Sequence, residues 1–311
     1  MMQAKILLAG ATGYLGRYLV QALLKQDKGF VALGRSLKKL GAMGLGEAQI
    51  KLAQVTDPMS LAGCCDGIDI VISCVGITRQ KDGLNYMDVD YQANINLLEE
   101  AERSGVKKFI YISAFNAPNY QSVRMLYAKE QFAQRLLSSQ MLEPCVIRPN
   151  GFFSDIEAFY AMAKAGRAYL FGWGDVKVNP IHGEDLARFC LEAAELSSHQ
   201  GSQPTDSDLN DSPHKAKQTW RPRQDKRELA IGGPDIFSIK ELAQLAFKAM
   251  DKPEKLMYLP DWVRKLALEV AKQLPERVGG PAEFFLTVSG QDMVAPAYGE
   301  HHLLEHFKSL S

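Results

Sequence analysis

The sequence lacks an excess of charge of either sign and any long hydrophobic run. Its 311 residues contain 36 lysines and arginines and 36 aspartates and glutamates, so no overall electrostatic field attracts the chain to nucleic acid or to an acidic membrane. No stretch reaches the roughly 18 consecutive apolar residues of a membrane-spanning helix, and the first apolar run, "KILLAG", is too short for a signal peptide. We therefore expect a cytoplasmic protein with no membrane span and no nucleic-acid partner.

The five cysteines form no CxxC motif and no other spacing typical of a metal site. Cys74 and Cys145 lie within apolar runs, where a free thiol behaves as a small hydrophobic side chain. An odd number of cysteines in such surroundings is typical of a reducing compartment. We therefore expect no metal site.

The first half of the chain alternates short apolar runs with longer helix-like segments. The apolar runs are "KILLAG" (5–10), "FVALGR" (30–35), "IDIVISCVG" (68–76), "KKFIYISAF" (107–115) and "PCVIRP" (144–149). Continuous apolar strands separated by helices predict a parallel sheet that is covered on both faces. The predicted fold class is therefore α/β, a doubly wound parallel sheet of the Rossmann type.

The predicted organisation is a dinucleotide-binding core at 1–150, followed by a smaller mixed lobe at 151–311. Two segments of the second half, 176–196 and 227–250, have strand and helix patterns that return to the core. Residues 197–227 have almost no aliphatic side chains, so they cannot form a core and are predicted to be a mobile insertion.

The end of the insertion is basic. Residues 215–227 contain six basic side chains and one acidic side chain, Asp225. Such a run is able to contact an anionic partner, although a solvated linker is the favoured interpretation. Whether the protein is a monomer or a homodimer stays open.

The segment "LLAGATGYLGRYLV" places Gly10, Gly13 and Gly16 between a strand and a helix. Gly10 permits the tight turn, Gly13 lets the backbone approach a pyrophosphate, and Gly16 lets the helix pack on the sheet. The amides at the start of the helix then face the anion. This pattern predicts a dinucleotide cradle, to which Thr12, Tyr14 and Leu15 also belong.

The second strand ends in "ALGRS". An NAD-preferring site has a carboxylate at this strand end, where it binds the adenosine ribose hydroxyls. Here Gly34 takes that place and is followed by Arg35 and Ser36. A missing acid beside a guanidinium favours a 2′-phosphate, so NADP is the predicted cofactor and NAD is the alternative.

Four segments carry a resemblance to a known family. "GATGYLG", "ANINLLEEAERSGVKKFIYISA", "VIRPNGFF" and "VNPIHGEDLA" resemble motifs of the short-chain dehydrogenase/reductase superfamily, in its extended and atypical branches. The atypical branch includes NmrA-like regulators, isoflavone-reductase-like enzymes and an accessory subunit of respiratory complex I. Its members range from reductases to proteins that bind the cofactor without turnover.

The resemblance implies a set of site residues. Ser113 takes the position of the active-site serine, and Asn96 that of a structural asparagine. The implied contacts beyond the glycine turn are Cys74, Val75, Gly76, Lys129 and Pro149 for the cofactor, and Asn150, Gly151, Phe152 and Phe153 for the substrate pocket.

In enzymes of this superfamily, a YxxxK motif carries out the proton chemistry, because the lysine lowers the pKa of the tyrosine one helical turn away. In "RMLYAKEQF" the lysine is Lys129, but Met125 takes the tyrosine position and has no proton to transfer. Tyr127 points to another face of the helix. Tyr111 or Tyr120 would have to enter the site from elsewhere, and nothing in the sequence places either of them there.

The histidines are weaker candidates. His182, in "NPIHGEDLA", is a possible acid, but support of its loop by hydrogen bonding is the favoured interpretation. His302 and His306 lie one helical turn apart, a spacing that is able to chelate zinc. With no third ligand in view, chance surface histidines are favoured.

Two functions follow as expectations. The first is an NAD(P)H-dependent reductase of a small apolar or aromatic metabolite, in which Lys129 and Ser113 are the catalytic candidates. The second is a non-catalytic NADP(H)-binding redox sensor, or an assembly or regulatory protein. Nucleotide-sugar epimerase chemistry is less favoured because Met125 replaces the tyrosine.

Overall fold

The computed structural model describes residues 4–77, 83–196 and 227–310. Its centre is a sheet of seven strands in the order β3-β2-β1-β4-β5-β6-β9, in which every neighbouring pair is parallel. The strands are β1 Ile6–Ala9, β2 Phe30–Gly34, β3 Ile50–Leu52, β4 Ile70–Ser73, β5 Lys108–Ile112, β6 Glu143–Pro149 and β9 Glu228–Ile231. This arrangement confirms the predicted doubly wound α/β class.

Helices cover both faces of this sheet. One apolar core contains buried residues of α1 (Tyr14–Lys25) and α7 (Gly183–Glu195). A second core, on the other face, contains residues of α4 (Ala93–Arg103) and α5 (Arg124–Leu137). The strand order reverses between β1 and β4, and in sheets of this class ligands bind in the crevice at that point.

Two short helices follow the outer strands. Helix α2 spans Leu37–Gly41, and α3 spans Pro58–Leu61. The N-cap of α3 is Asp57, whose side chain accepts a hydrogen bond from the Met59 amide at 3.0 Å. Helix α4 has an unusual start. A π-helical turn, Met87–Gln92, precedes α4, and such turns are frequent at functional sites.

A third core lies outside the sheet. It joins α6 (Phe153–Lys164), α8 (Ile239–Ala249) and α11 (Leu303–Ser309). Two small sheets flank it, formed by β7 (Ala168–Phe171) with β11 (Leu256–Leu259) and by β8 (Lys177–Val178) with β10 (Phe237–Ser238). This lobe stands beside the carboxyl end of β6, because α6 begins soon after that strand.

Helices α9 (Asp261–Gln273) and α10 (Glu276–Val288) form a hairpin against the first turn of α5. Arg124 of α5 donates to the carbonyl oxygens of Leu274 and Ala271 and pairs with Glu283 at 2.6 Å. The hairpin therefore covers the part of α5 on which Met125 lies.

Residues 197–226 of the predicted insertion, with most of its basic run, lie outside the described residues. Within the described ranges, no helix is both long enough and apolar enough to span a membrane.

Candidate functional site

The glycine turn has little room for side chains. Gly10 has a φ of 82°, and a Cβ there would lie 2.8 Å from the Cys74 carbonyl group. A Cβ on Gly16 would overlap the carbonyl oxygen of Gly10. Gly10 and Gly16 thus let β1, β4 and α1 meet closely, as their positions in the motif predict.

Gly13 has a different role from these two glycines. It is the N-cap residue of α1, and no side chain caps the helix. Its amide donates to Gly10 O at 3.0 Å, which closes the turn. The first amides of the 12-residue helix are left without a side-chain cap, and such amides bind anions.

An aromatic wall stands at the start of α1. The rings of Tyr14 and Phe152 have centroids 5.2 Å apart, and Tyr14 also contacts Tyr18. Leu15 is buried in the core, and the carbonyl oxygen of Thr12 accepts from Arg17 Nε at 3.2 Å. The structure therefore brings the predicted residue Phe152 next to the predicted cradle.

At the end of β2, Arg35 is exposed and Ser36 caps α2 through a hydrogen bond from the Lys39 amide at 3.3 Å. The segment from Phe30 to Leu40 has three basic side chains and no acidic one. This segment is therefore locally basic, as a segment that binds a phosphate requires.

A buried ion pair lies beyond β4. Lys129 Nζ is 2.8 Å from Asp90 Oδ1, and the Asp90 side chain is fully buried. The amide of Ile77 donates to Asp90 Oδ2 at 3.1 Å. A Cβ on Gly76 would lie 2.6 Å from Asp90 Oδ1 and 2.9 Å from Lys129 Nζ. The pair therefore holds the segment that follows β4.

This pairing fixes the charge of Lys129. Burial by itself would lower the pKa of Lys129, but the charge of Asp90 and its hydrogen bond raise the pKa above the ordinary lysine value. The side chain is an ammonium group bound to a carboxylate, and a raised pKa makes it a weak proton donor.

Sequence reasoning missed Asp90. The only sequence signal for Asp90 was its position in "DVDYQANINLL", where it shares a helix face with residues that are buried. It also missed Asn94, a fully buried residue whose amide accepts from Ser73 Oγ at 2.6 Å and donates to Val75 O at 3.2 Å. Asn96, the expected structural asparagine, instead donates to Val55 O at 3.1 Å. Asn94 therefore braces the end of β4.

The three tyrosines considered from the sequence, Tyr127, Tyr120 and Tyr111, do not take the place of the missing phenol. Met125 is buried in an apolar cluster with Tyr86, and Tyr127 is 42% exposed. Tyr120 donates to Gln291 Oε1 at 2.7 Å. Tyr111 lies near the lysine, with its ring centroid 5.9 Å from Lys129 Nζ.

The Tyr111 side chain is nevertheless fully buried. Its hydroxyl has no hydrogen-bond partner among the described residues. Burial raises the pKa of this hydroxyl above the ordinary tyrosine value. A phenol that is buried and hard to ionise is not placed to exchange protons with a substrate.

Ser113 lies at the end of β5 in a second buried network. Arg148 Nη1 is 3.4 Å from Ser113 Oγ and 2.7 Å from Glu130 Oε2, and Arg148 Nη2 is 2.6 Å from Glu228 Oε2. Glu130 follows Lys129 on α5, so two consecutive residues of this helix each form a buried ion pair. The network holds β5, β6, β9 and α5 together and directs a guanidinium toward the serine.

The residues predicted for the substrate pocket fall into two groups, those buried in the fold and those that face the start of α1. Asn150 is buried and donates to Asn179 Oδ1 at 2.7 Å and to the Met293 carbonyl oxygen, so it holds loops together. Phe153 is only 2% exposed and belongs to the core of the lobe. Among these residues Phe152, which is partly exposed, faces the α1 start.

The remaining predicted contacts lie near the same strand ends. The carbonyl oxygen of Pro149 accepts from the Phe115 amide at 3.0 Å, and Gly151 has a φ of 50°. Burial raises the pKa of the Cys74 thiol to about 12, so this side chain is not a thiolate. Val75 is buried in the second core.

His182 is the N-cap of α7, and its Nδ1 accepts from the Glu184 amide at 3.3 Å. Burial and the neighbouring His301 lower the pKa of His182 to about 4, which keeps the ring neutral. The expectation that His182 supports its loop agrees with this contact.

This combination of a switch-point crevice, a glycine turn and an uncapped helix start defines a Rossmann-type dinucleotide-binding protein. The sequence pattern of the NAD(P)H-binding family matches residues 10–196, which is more than half of the chain. The chain belongs to this family, within the atypical branch of the short-chain dehydrogenase/reductase superfamily. The expectation of an NAD(P)-type cofactor is confirmed at this level.

Two relatives extend the comparison. Photosystem II assembly factor Ycf39 of Synechocystis sp. is 27% identical over 195 residues, which cover 62% of this chain and 59% of the relative. Divinyl chlorophyllide a 8-vinyl-reductase of Arabidopsis thaliana is 25% identical over 305 residues, which cover 90% of this chain and 66% of the relative. The chain thus spans less than two thirds of the length of either relative.

A solved structure shows the same fold. The NADPH-dependent quinone oxidoreductase QOR2 of Escherichia coli, complexed with NADPH, superposes with a TM-score of 0.65 at 18% sequence identity. The superposition covers 98% of this chain and 99% of the other.

Proposed function

We propose that the protein is an NADPH-dependent reductase of small apolar or aromatic acceptors in which α5 supplies no proton. The observation that carries this proposal is the replacement of the acid by buried Met125 together with the Lys129–Asp90 pair, beside a complete glycine turn. On α5, Lys129 neutralises the charge of Asp90 and helps to hold the segment that follows β4. The glycine turn retains the features that cofactor binding requires.

The end of β2 supports a preference for NADPH over NADH. The absence of an acid there and the presence of Arg35 and Ser36 favour a 2′-phosphate over free ribose hydroxyls. The pyrophosphate would lie at the amides that follow Gly13. When bound, the reduced nicotinamide supplies a hydride to the acceptor.

The acceptor class follows from the missing acid. Hydride addition to a simple ketone creates an alkoxide, which needs a proton donor at the site, and general acid catalysis of this kind contributes about 100- to 10,000-fold. Addition to a quinone or to a conjugated double bond creates a delocalised anion that water can protonate. The site therefore suits conjugated acceptors. Phe152 and Tyr14 supply a flat apolar wall for such a molecule.

A panel of acceptors tests this proposal. We expect NADPH oxidation with quinones and enones and none with isolated ketones of similar size, because only the first group tolerates the absence of an acid. Lys129→Met should lower turnover with quinones although Lys129 transfers no proton, because it leaves Asp90 buried without its partner and loosens the segment that follows β4. Oxidation of isolated ketones at comparable rates would contradict the proposal.

The second candidate is a non-catalytic NADP(H)-binding assembly or regulatory protein. The neutralised Lys129–Asp90 pair and the name of the relative Ycf39 favour it. The same panel separates the two candidates. A non-catalytic protein would bind NADPH but would not oxidise it with any acceptor of the panel.

A further inference from the structure

All four histidines of the described residues lie in one region. His182 starts α7, and His301, His302 and His306 belong to the segment that ends in α11. The rings of His182 and His301 are stacked, with centroids 4.2 Å apart and an interplanar angle of 23°. In the sequence, the spacing of His302 and His306 alone offers no third ligand; in the fold, His182 and His301 lie beside them.

A third potential ligand joins the two stacked rings. His182, Glu184 and His301 each offer one ligand atom, and these atoms all lie within 4.8 Å of one another. His301 Nε2 is 3.4 Å from Glu184 Oε2. Zinc bonds to nitrogen and oxygen are about 2.0–2.2 Å long, and a histidine binds a metal ion in the plane of its ring. The stacked rings of His182 and His301 must therefore turn toward each other before both bind one ion. The Glu184 side chain is 60% exposed and is free to rotate inward.

The position of His301 is set from behind by a buried carboxylate. Asp185 is fully buried, and its Oδ1 lies 3.0 Å from His301 Nδ1. Its Oδ2 accepts from the amides of Glu300 and His301 at 3.1 and 3.0 Å. Despite this distance, Asp185 Oδ1 does not yet form a hydrogen bond with His301 Nδ1. A carboxylate bound to the far nitrogen of a histidine supports a metal ligand, so Asp185 would take this role when the ring turns toward the ion.

We propose that His182, Glu184 and His301 bind Zn²⁺, with water in the fourth position. Two imidazoles and one carboxylate suit zinc, whereas Mg²⁺ and Ca²⁺ prefer oxygen ligands alone. The ion would connect the C-terminal segment to the start of α7. His182 also contacts Tyr18 of α1, with ring centroids 5.2 Å apart, so the site would brace the helix that begins at the glycine turn.

Zn²⁺ binding is measured on the untagged, metal-free protein by competition with a chromophoric chelator, without cofactor or substrate. We expect one equivalent to bind and to raise the midpoint of thermal unfolding. Co²⁺ should give a visible spectrum of a site with nitrogen and oxygen ligands. A thiolate-to-cobalt charge-transfer band would instead assign the binding to cysteines and overturn the proposal.

Three variants identify the ligands. His182→Asn keeps a residue that caps helices well but removes the imidazole, so the fold is retained while binding is lost. Asp185→Asn should weaken binding about 10- to 100-fold, the usual effect of a supporting residue, and His301→Gln should weaken it more. His302→Ala is the matched control, because His302 contacts Asp235 instead. Binding that survives His182→Asn, or that is lost equally in His302→Ala, would overturn the assignment.

Discussion

Gly76 has no room for a Cβ because the Lys129–Asp90 ion pair occupies the space beside it. The two charged atoms cannot move apart without losing a contact that compensates their burial. Gly76 is therefore a residue at which sterics and electrostatics act together, although its backbone lies outside the left-handed region.

Gly76→Ala tests this packing. The added methyl group would lie within 3 Å of both charged atoms, at 2.6 Å from Asp90 Oδ1 and 2.9 Å from Lys129 Nζ. We expect it to lower the free energy of unfolding by about 1–3 kcal/mol, as measured by urea denaturation. Gly29→Ala is the matched control, because a Cβ there meets nothing within 4 Å. Equal effects of the two substitutions would contradict this account.

The ion pair itself is tested with a double-mutant cycle. Asp90→Ala leaves a buried ammonium without its partner and should cost about 3–5 kcal/mol. Because the pair is lost only once, Asp90→Ala combined with Lys129→Met should cost less than the sum of the single changes. Additive effects in urea denaturation would show that the two side chains are not coupled.

The pH range of this coupling follows from the pKa of Lys129. The pKa in the folded protein lies above the unfolded value of about 10.4. The contribution to stability is therefore complete at neutral pH and is lost only as the pH rises beyond that value. The cycle should thus give the same coupling at pH 7 and pH 9.

At the scale of elements, the α9–α10 hairpin depends on one side chain of α5. Arg124 binds two carbonyl oxygens at the end of α9 and pairs with Glu283 of α10, which is 2% exposed. It therefore ties both helices of the hairpin to α5.

Arg124→Met should loosen this hairpin, since it leaves a buried carboxylate without its partner. We expect faster amide exchange across residues 261–288 and little change in the central sheet. Arg135→Met is the control. Arg135 lies on another part of α5 and pairs with Glu102 of α4, away from the hairpin. Equal exchange changes at the hairpin in both variants would contradict this role.

Elements differ in how far the sequence predicted them. The glycine turn was predictable, because it depends on residues close together in the chain. The π-helical turn at Met87–Gln92 was not predicted, because its residues read as an ordinary helix. Asp90 and Lys129 lie far apart in the sequence, so their pairing required the folded chain.

At the scale of the whole molecule, the second half was harder to predict than the first. The alternation of apolar strands and helices was enough to indicate the parallel sheet. The lobe is held by contacts between distant segments, such as those of Asn150 with Asn179 and Met293. The same limit applied to His301 and its neighbours, because His182 lies more than a hundred residues before them.

The most direct test is a calorimetric titration of NADPH and NADH into the wild-type protein and Gly13→Asp. Aspartate is a good N-cap residue, and the contact of its Cβ with Gly10 O at 3.3 Å is tight without overlapping, so the variant should fold. Its carboxylate, however, would face the pyrophosphate, and like charges in contact cost several kcal/mol. We predict that the wild type binds NADPH more tightly than NADH and that the variant binds NADPH at least about 100-fold more weakly. A wild-type protein without affinity for either dinucleotide, or a variant that binds NADPH as well as the wild type, would contradict the account.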